Sequence, residues 1–519
     1  MSLKVMLIYP NFKGMNMLPP GVALLSAVLK EKGFEVRLFD TTPYERIDGV
    51  FVPDSDKSKS ERLMARPYEM PRKVLSKSTN CFEDFEREVL EFRPNLLALS
   101  TTEDMFDLGL RLLKKVRYLN ILTIAGGVLP TFAPKLILSF PEIDIVCKGE
   151  GEDALSRLCE CLASGQSYDD ISNLWIKKQD GTIKINQTKM VDMDKNPLID
   201  MSIFEEGRYY RPMGGTVYRM FPVETHRGCP YTCAFCNSPS QMEMYKHEEG
   251  KSYLRRKTIK NMHRELKFYK EVMGAEYLYF WADTFLSWKK GELEEFAEMY
   301  NDIGLPFWCQ TRIETITEER LEIMKKMKCA RISFGIEHGN EEFRKKHLKR
   351  PVTNAMMLTN FKVVEKSGIP FSVNNIMGFP HETVDLAFDT IRFNKHINSH
   401  DRNAYHFTPF HGTPLRAEVE RLGYVKDEDI VQSFVIGDSL IDMPAFPKKK
   451  VISLTKTFNM YVKFPESRWP DIRKAEEDTA EGRKIYIELK EEFTDKFFNS
   501  ESENFEASAL EKEISSPMN

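Results

Sequence analysis

Near-continuous apolar runs open the chain, and each is followed by a stretch whose apolar residues recur three or four apart. Residues 4–10, 34–40, 96–102, 121–127 and 143–150 read as strands buried on both faces, the kind that build parallel sheets. Between the first two, Pro19-Pro20-Gly21 opens a helical pattern through Leu24, Leu25, Val28 and Leu29, closed by Gly33. Every strand run ends in small or polar residues, which predicts a doubly wound α/β domain with a crevice at those ends. Residues 51–80, rich in Lys, Ser, Pro and Arg, read as an exposed insertion. Leu174-Trp175-Ile176-Lys177 and Ile183-Lys184-Ile185, around Asp180-Gly181, read as a hairpin, and Asn196-Pro197-Leu198 begins an extended linker.

A second βα series follows. Apolar runs at 277–283, 307–312, 331–339, 371–380 and 405–414 alternate with helical patterns such as 293–300 and 317–327. Polar residues at the C-terminal ends of such strands point into a barrel mouth, which places Asp283, Arg312, Glu337 and Asn375 there. After Pro414 the pattern turns helical over 415–422, 426–434, 452–464 and 468–498. Ile485, Leu489, Phe493 and Phe497 share one face of the last. These helices read as a small domain over the barrel mouth. The acidic, serine-containing tail, 499–519, reads as disordered.

Chemistry concentrates in one loop. His226-Arg227-Gly228-Cys229-Pro230-Tyr231-Thr232-Cys233-Ala234-Phe235-Cys236-Asn237 carries three cysteines at C-x-x-x-C-x-x-C spacing, on a turn bounded by Gly228 and Pro230. Three thiolates on one loop can take three corners of a cubane [4Fe–4S] cluster, and no fourth cysteine lies nearby to complete the set. One iron would then stay open to a substrate or cosubstrate. The competing readings are buried thiols or a zinc site, and structural zinc usually draws four N/S ligands from two paired half-sites.

This spacing, with Phe235 just before the third cysteine, resembles the radical S-adenosylmethionine (radical SAM) superfamily. The resemblance implies that the open iron binds the amino and carboxylate groups of SAM. One-electron reduction by an external flavodoxin- or ferredoxin-like donor then releases a 5′-deoxyadenosyl radical. Phe334-Gly335-Ile336-Glu337-His338-Gly339-Asn340 is similar to the family's G-I-E-S-G segment, whose glutamate commonly contacts the SAM ribose. Met377-Gly378-Phe379-Pro380-His381-Glu382-Thr383 is similar to G-x-P-G-E-T, and Phe407-Thr408-Pro409-Phe410-His411-Gly412-Thr413-Pro414 to T-P-x-P-G-T. Phe235, Asp283, Arg312, Glu337 and Asn375 are thereby the SAM-binding candidates. His338, His381 and His411 depart from these segments in a chain with ten histidines. They are candidates for substrate binding or proton transfer, with independent drift as the alternative.

Gly126-Gly127-Val128-Leu129-Pro130-Thr131, then Pro134 and a 144–152 stretch like D-x-V-x-x-G-E-G-E, resemble the domain that precedes the barrel in cobalamin-binding radical SAM enzymes. The implied cobalamin contacts are Thr101, Thr102, Gly126, Gly127, Val128, Thr131, Gly149 and Glu150, with Gly127 allowing close backbone approach. The cobalt-ligating D-x-H-x-x-G signature is missing, since the first loop reads Asn11-Phe12-Lys13-Gly14. Cobalamin would then be held without a histidine ligand; an emptied domain is the alternative. Neither G-x-G-x-x-G after the first strand nor G-x-x-x-x-G-K-[ST] occurs, against dinucleotide or nucleoside-triphosphate binding.

Together the resemblances imply an α/β chain: a Rossmann-like domain (1–152), a linker with a hairpin (153–219), a partial (β/α)6 TIM-like barrel (220–415) and a helical C-terminal domain (416–498). Composition agrees with a cytoplasmic enzyme. Length, 519 residues, suits roughly two to four domains. Hydrophobic content of 42% supports real cores. Mean hydropathy of −0.41 and the lack of a long uncharged apolar run argue against a membrane span. The start leads straight into a strand, so no signal peptide is expected. Nine cysteines without a paired framework suit a reducing compartment, and a net charge of −4 offers no phosphate-neutralising surface for nucleic acid. The expected activity is cobalamin-dependent radical SAM methyl transfer to an unactivated carbon or phosphorus of a small molecule. The alternative is cyclisation, oxidation or rearrangement without net methyl transfer. A tRNA methylthiotransferase would need N-terminal cluster cysteines and a basic module, which this chain lacks. A non-catalytic scaffold fits an open cluster position poorly.

Overall fold

The computed structural model describes residues 2–498 apart from 16, 48–49, 52–54, 71–75, 290 and 433–438; the expected disordered tail lies outside the described residues. The first sheet comprises β1 (Lys4–Tyr9), β2 (Glu35–Asp40), β3 (Leu96–Ser100), β4 (Leu122–Gly126), β5 (Ile145–Cys147), β6 (Leu174–Lys177) and β7 (Ile183–Ile185). Their order is β2-β1-β3-β4-β5-β6-β7, with β1 to β5 parallel. Alternate residues feed two cores: Val5, Leu7, Leu96 and Ala98 face one, and Met6, Ile8, Leu97 and Leu99 the other. Strand order reverses between β1 and β3, opening a crevice at their C-terminal ends. The hairpin expected in the linker instead continues this sheet, antiparallel to β5, because Leu174 and Ile176 bury their side chains on it.

The second sheet runs in chain order: β8 (Tyr210–Met213), β9 (Thr216–Val223), β10 (Tyr277–Phe280), β11 (Phe307–Thr311), β12 (Cys329–Glu337), β13 (Phe371–Met377) and β14 (Asp401–His406). β9 to β14 are six parallel strands, and β8 is an antiparallel edge. Leu278, Phe280, Phe307, Cys309, Ile332, Phe334, Phe371 and Val373 pack outward into the helix-covered core. The alternate residues, Tyr279, Trp308, Gln310, Ser333, Ser372, Asn374 and Asn403, therefore face the interior in register. The strand expected over 405–414 begins at Asp401 and ends at His406; Pro409 and Pro414 lack a ladder donor, and Gly412 turns at φ +80°.

After the helix Pro414–Arg421, residues 426–432 are not helical, unlike the expectation. The expected helix over 468–498 is divided at 476–479, where Thr479 caps a new helix by accepting from the Gly482 N–H at 2.9 Å. Leu489 and Phe493 are buried on its inner face, as the periodicity required. The helices from Lys448 onward pack on the barrel edge, while Leu415 and Val419 of the helix Pro414–Arg421 pack beside Ala234 of the cysteine loop at the barrel mouth. Val451, Leu454 and Phe458 of the helix Lys448–Lys463 pack on Met377, Ala387, Ile391 and Ala404. Asn459 Nδ2 donates to Arg402 O of edge strand β14 at 3.0 Å and to Leu63 O at 2.8 Å. Leu63 and Met64 are buried in this same core, so the segment expected to be exposed docks here in part. No helix among the described residues is long and apolar enough to cross a membrane.

Candidate active site

Cys229, Cys233 and Cys236 stand half-buried on the loop after β9. Thr284 Oγ1 lies 3.4 Å from Cys229 Sγ, the Ser238 N–H donates to Cys236 Sγ at 3.4 Å, and Arg312 Nη1 donates to Cys233 Sγ at 3.0 Å. A polar group beside each sulfur suits thiolate ligands, whose orientation depends on such outer contacts. Gly228 turns the loop at φ +91°, and a Cβ there would lie 3.0 Å from the Leu254 backbone. Burial pushes the Cys236 thiol up to about 11, so metal binding must displace its proton. The donor set fits a cluster held by three thiolates.

Three of the SAM candidates gather beside this loop. Arg312 also pairs with Glu314 and lies over the Tyr231 ring at 3.9 Å. Asp283 accepts from the Ser238 hydroxyl. Glu337 is buried at φ +67° after a register shift in β12, a strained conformation of the sort found at ligand sites. Its Oε1 accepts from Arg350 Nη1 at 2.8 Å, and burial raises its carboxyl against the lowering effect of Arg350. Gly335 makes room for it, since a Cβ there would stand 2.0 Å from Glu337 Oε1. Phe235 is half-buried, 5.9 Å from the Phe379 ring. Asn375 does not join them. It is fully buried on the outer side, accepting from Asn394 Nδ2 at 2.8 Å and donating to Asn403 O at 3.1 Å. Strand parity gives the interior position to Asn374.

The three histidines have three different settings. His338 is fully buried, stacked 4.3 Å from Phe343, with Nε2 3.2 Å from Glu382 Oε1. Glu382 in turn accepts from the Gly378 and Phe379 N–H groups at 2.6 and 2.9 Å, and His338 Nδ1 accepts from the Asn340 N–H at 3.0 Å. His381 is partly exposed beside Glu418 at 2.8 Å. His411 reaches the first domain, with Nδ1 2.8 Å from Glu103 Oε1 and Nε2 2.8 Å from Asp427 O. His338 and His411 thus spend their rings on protein partners.

In the crevice of the first sheet, Thr102, Gly127 and Val128 are exposed at the ends of β3 and β4, Val128 by 42%. This open, partly apolar rim suits a large planar ligand. Gly126 has room, a Cβ meeting Cys147 only at 3.6 Å. Other candidates are occupied. Thr101 is buried with its hydroxyl on Thr102 O at 2.8 Å; Thr131 Oγ1 donates to Gly127 O at 2.7 Å and accepts from the Gly149 N–H at 3.0 Å. At Gly127 a Cβ would lie 2.2 Å from Thr101 O, and at Gly149 2.4 Å from the Tyr245 hydroxyl. Both glycines therefore answer to protein neighbours. No histidine enters from the first loop, where Asn11 Nδ2 donates to Met15 O and Thr42 Oγ1 at 2.9 and 3.0 Å.

Glu150 departs furthest from the expected cobalamin contact. Its carboxylate takes Arg227 Nη1 at 2.7 Å, Arg255, and the Val191 N–H at 2.7 Å. Glu152 and Glu224 complete the surround of Arg227 at 2.7 and 2.9 Å. Arg227 stands two residues before Cys229, so the motif of one domain is locked onto the motif of the other. Sequence reasoning passed over Arg227 and Glu103; their only signal was charge beside a motif.

Comparison with known proteins accounts for both halves. The B12 binding domain model matches residues 69–159, and the Radical SAM superfamily model residues 223–393. An uncharacterized methyltransferase of Pyrococcus horikoshii is 26% identical over 341 residues, 64% of this chain and 71% of that protein. The cytidylyl-2-hydroxyethylphosphonate methyltransferase of Streptomyces wedmorensis is 21% identical over 484 residues, 85% of each chain. The solved structure of the cobalamin-dependent SAM radical enzyme OxsB, with aqua-cobalamin and SAM bound, shares the fold at TM-score 0.62 and 16% identity, over 99% of this chain and 75% of that one. With a cobalamin-binding domain set against a radical SAM barrel, the chain belongs to the cobalamin-binding radical SAM enzymes, whose cofactors are cobalamin, SAM and a [4Fe–4S] cluster.

Proposed function

We propose that the protein is a methyltransferase acting on an unactivated carbon or phosphorus of a small molecule, in the cytoplasm, with electrons from an external flavodoxin- or ferredoxin-like protein. The observation that carries this reading is the Arg227 lock, which fixes the cysteine loop against the cobalamin-domain loop so that two cofactors can serve one substrate. Cys229, Cys233 and Cys236 would hold the cluster, Phe235, Asp283, Arg312 and Glu337 the SAM, and Thr102, Gly126, Gly127 and Val128 the cobalamin. Bound together, these groups supply hydrogen abstraction and a transferable methyl group. The chain's own residues orient and enclose. Glu337 would accept from the ribose hydroxyls, Arg312 sets positive charge against Cys233, and Gln310, Asn374 and Asn403 line the approach. Similarity to a methyltransferase over 85% of the chain weighs toward transfer, against similarity to anaerobic magnesium-protoporphyrin IX monomethyl ester cyclases over 48–66% of it.

The test is anaerobic incubation of the cofactor-loaded protein with methyl-deuterated SAM and a small-molecule extract, read by mass spectrometry. A compound that gains the labelled methyl group supports the reading. Substrate consumption with 5′-deoxyadenosine but no label in any product would replace it with cyclisation or oxidation.

A further inference from the structure

We propose that Arg211 anchors an oxyanion, a carboxylate or phosphate of the substrate, on the inner wall of the half-barrel; this deepens the methyl-transfer reading and rests on it. Arg211 pairs across β8 and β9 with Tyr218, so the two share a face. That face is the interior, where Tyr218, Tyr277, Tyr279 and Trp308 pack together. The guanidinium lies 5.1 Å from the Tyr279 ring and 6.0 Å from the Trp308 ring, with Nη1 4.0 Å from Met220 Sδ.

What sets Arg211 apart is its missing counter-charge. Other arginines at this wall each have a carboxylate: Arg331 has Asp401 at 2.6 Å, Arg350 has Glu337 at 2.8 Å, and Arg312 has Glu314. Arg208, on the approach from the first domain, has Asp40 at 2.8 Å. Among the described residues Arg211 has none. A half-buried cation without a partner is unfavourable, and its planar fork suits bidentate capture of a carboxylate or phosphate. Above it on the same face stand Trp281, 44% exposed, and Gln310, and then Asp283 and Arg312 beside the cysteine loop. Asp283 follows Tyr279 by four positions, in the turn after β10, so at most about 13 Å separates them at about 3.3 Å per residue. The acidic end would therefore sit deep in the barrel, with a neutral, stackable portion rising past Trp281 toward the cofactors. The nucleotide phosphate of cobalamin is the other source of the same chemistry.

The probe is phenylphosphonate against its uncharged diethyl ester, titrated into the cofactor-loaded enzyme and followed by calorimetry and tryptophan fluorescence. Wild type should bind the anion and not the ester. Arg211→Met, which keeps the packed stem, should weaken it by about tenfold or more, as loss of a charged hydrogen bond does. Arg211→Lys should retain part of the affinity, and neither variant should change corrinoid content or the cluster spectrum. Equal binding by Arg211→Met, or no discrimination between anion and ester by wild type, would overturn the proposal. Loss of corrinoid from both variants would also overturn it, assigning Arg211 to the cobalamin phosphate. The labelled-methyl assay is independent of these readouts, so failure of one leaves the other standing.

Discussion

Arg227 donates to Glu150 across 2.7 Å, and through that contact the loop of the three cysteines is tied to the loop that follows β5. Only 12% of the Arg227 side chain is exposed, and three carboxylates surround it. Those carboxylates hold its guanidinium charged well beyond the ordinary value despite burial.

Removing one side of such a buried pair costs more than the pair contributes, because the other side stays charged and unpaired. Arg227→Met should therefore lower unfolding stability by about 3–5 kcal/mol. Glu150→Gln should cost less, since Glu152 and Glu224 remain. Both should change the urea unfolding midpoint while corrinoid affinity of the folded Glu150→Gln protein stays near wild type. A large loss of corrinoid affinity at an unchanged midpoint would return Glu150 to the ligand.

At the crevice, Gly127 is a poor probe of the ligand, because a Cβ there meets Thr101 O and the backbone is at φ +113°. Gly127→Ala should destabilise the first domain with or without corrinoid. Val128→Glu, at an exposed site, should cost stability no more than about 0.5 kcal/mol yet abolish corrinoid retention. Retention of corrinoid by Val128→Glu, read from its absorption spectrum, would move the ligand elsewhere.

His411 gives the interface a pH dependence. Burial alone would lower its imidazole, and Arg416 acts the same way, yet the hydrogen bond and charge of Glu103 leave it raised. A raised value in the folded state means stability that is full below the unfolded value of about 6.5 and lost as pH rises through the folded value. The stability gap between wild type and His411→Gln should therefore be widest near about pH 6, at roughly 1.5–3 kcal/mol, and narrow toward alkaline pH. A gap that widens with pH would contradict the assignment.

Glu337→Gln should weaken SAM binding by about tenfold or more, the loss of a charged acceptor being worth roughly 1.5–3 kcal/mol, while the cluster spectrum stays unchanged. Calorimetric titration with SAM checks it. Unaltered affinity would remove Glu337 from the ribose.

Much of this was legible in the chain, for identifiable reasons. Apolar runs and their polar ends located both sheets, and the fixed offsets of Cys229, Cys233 and Cys236 located the loop, because these signals are local. Asn375 was misplaced because a strand alternates faces at every residue, so an error of one position exchanges Asn375 for Asn374. Glu150, Gly149 and Thr131 looked like ligand contacts because their motif is real, but Glu150 and Gly149 meet Arg227 and Tyr245 of the other domain, pairs that lie far apart in sequence, and the Thr131 hydroxyl is taken by Gly127 O four residues before it. Arg211 carried no signal at all; its meaning comes from a missing carboxylate, which only the packed interior reveals.

The most direct measurement compares anaerobically reconstituted wild type with Cys233→Ala, recording corrinoid and cluster absorption and then 5′-deoxyadenosine formed from SAM under a strong reductant. Two thiolates cannot replace three at a cubane, whereas the cobalamin crevice lies on another sheet. The variant should thus keep corrinoid, lose the cluster and form no 5′-deoxyadenosine, while wild type keeps both cofactors and forms it. Formation of 5′-deoxyadenosine by Cys233→Ala at the wild-type rate would contradict the account.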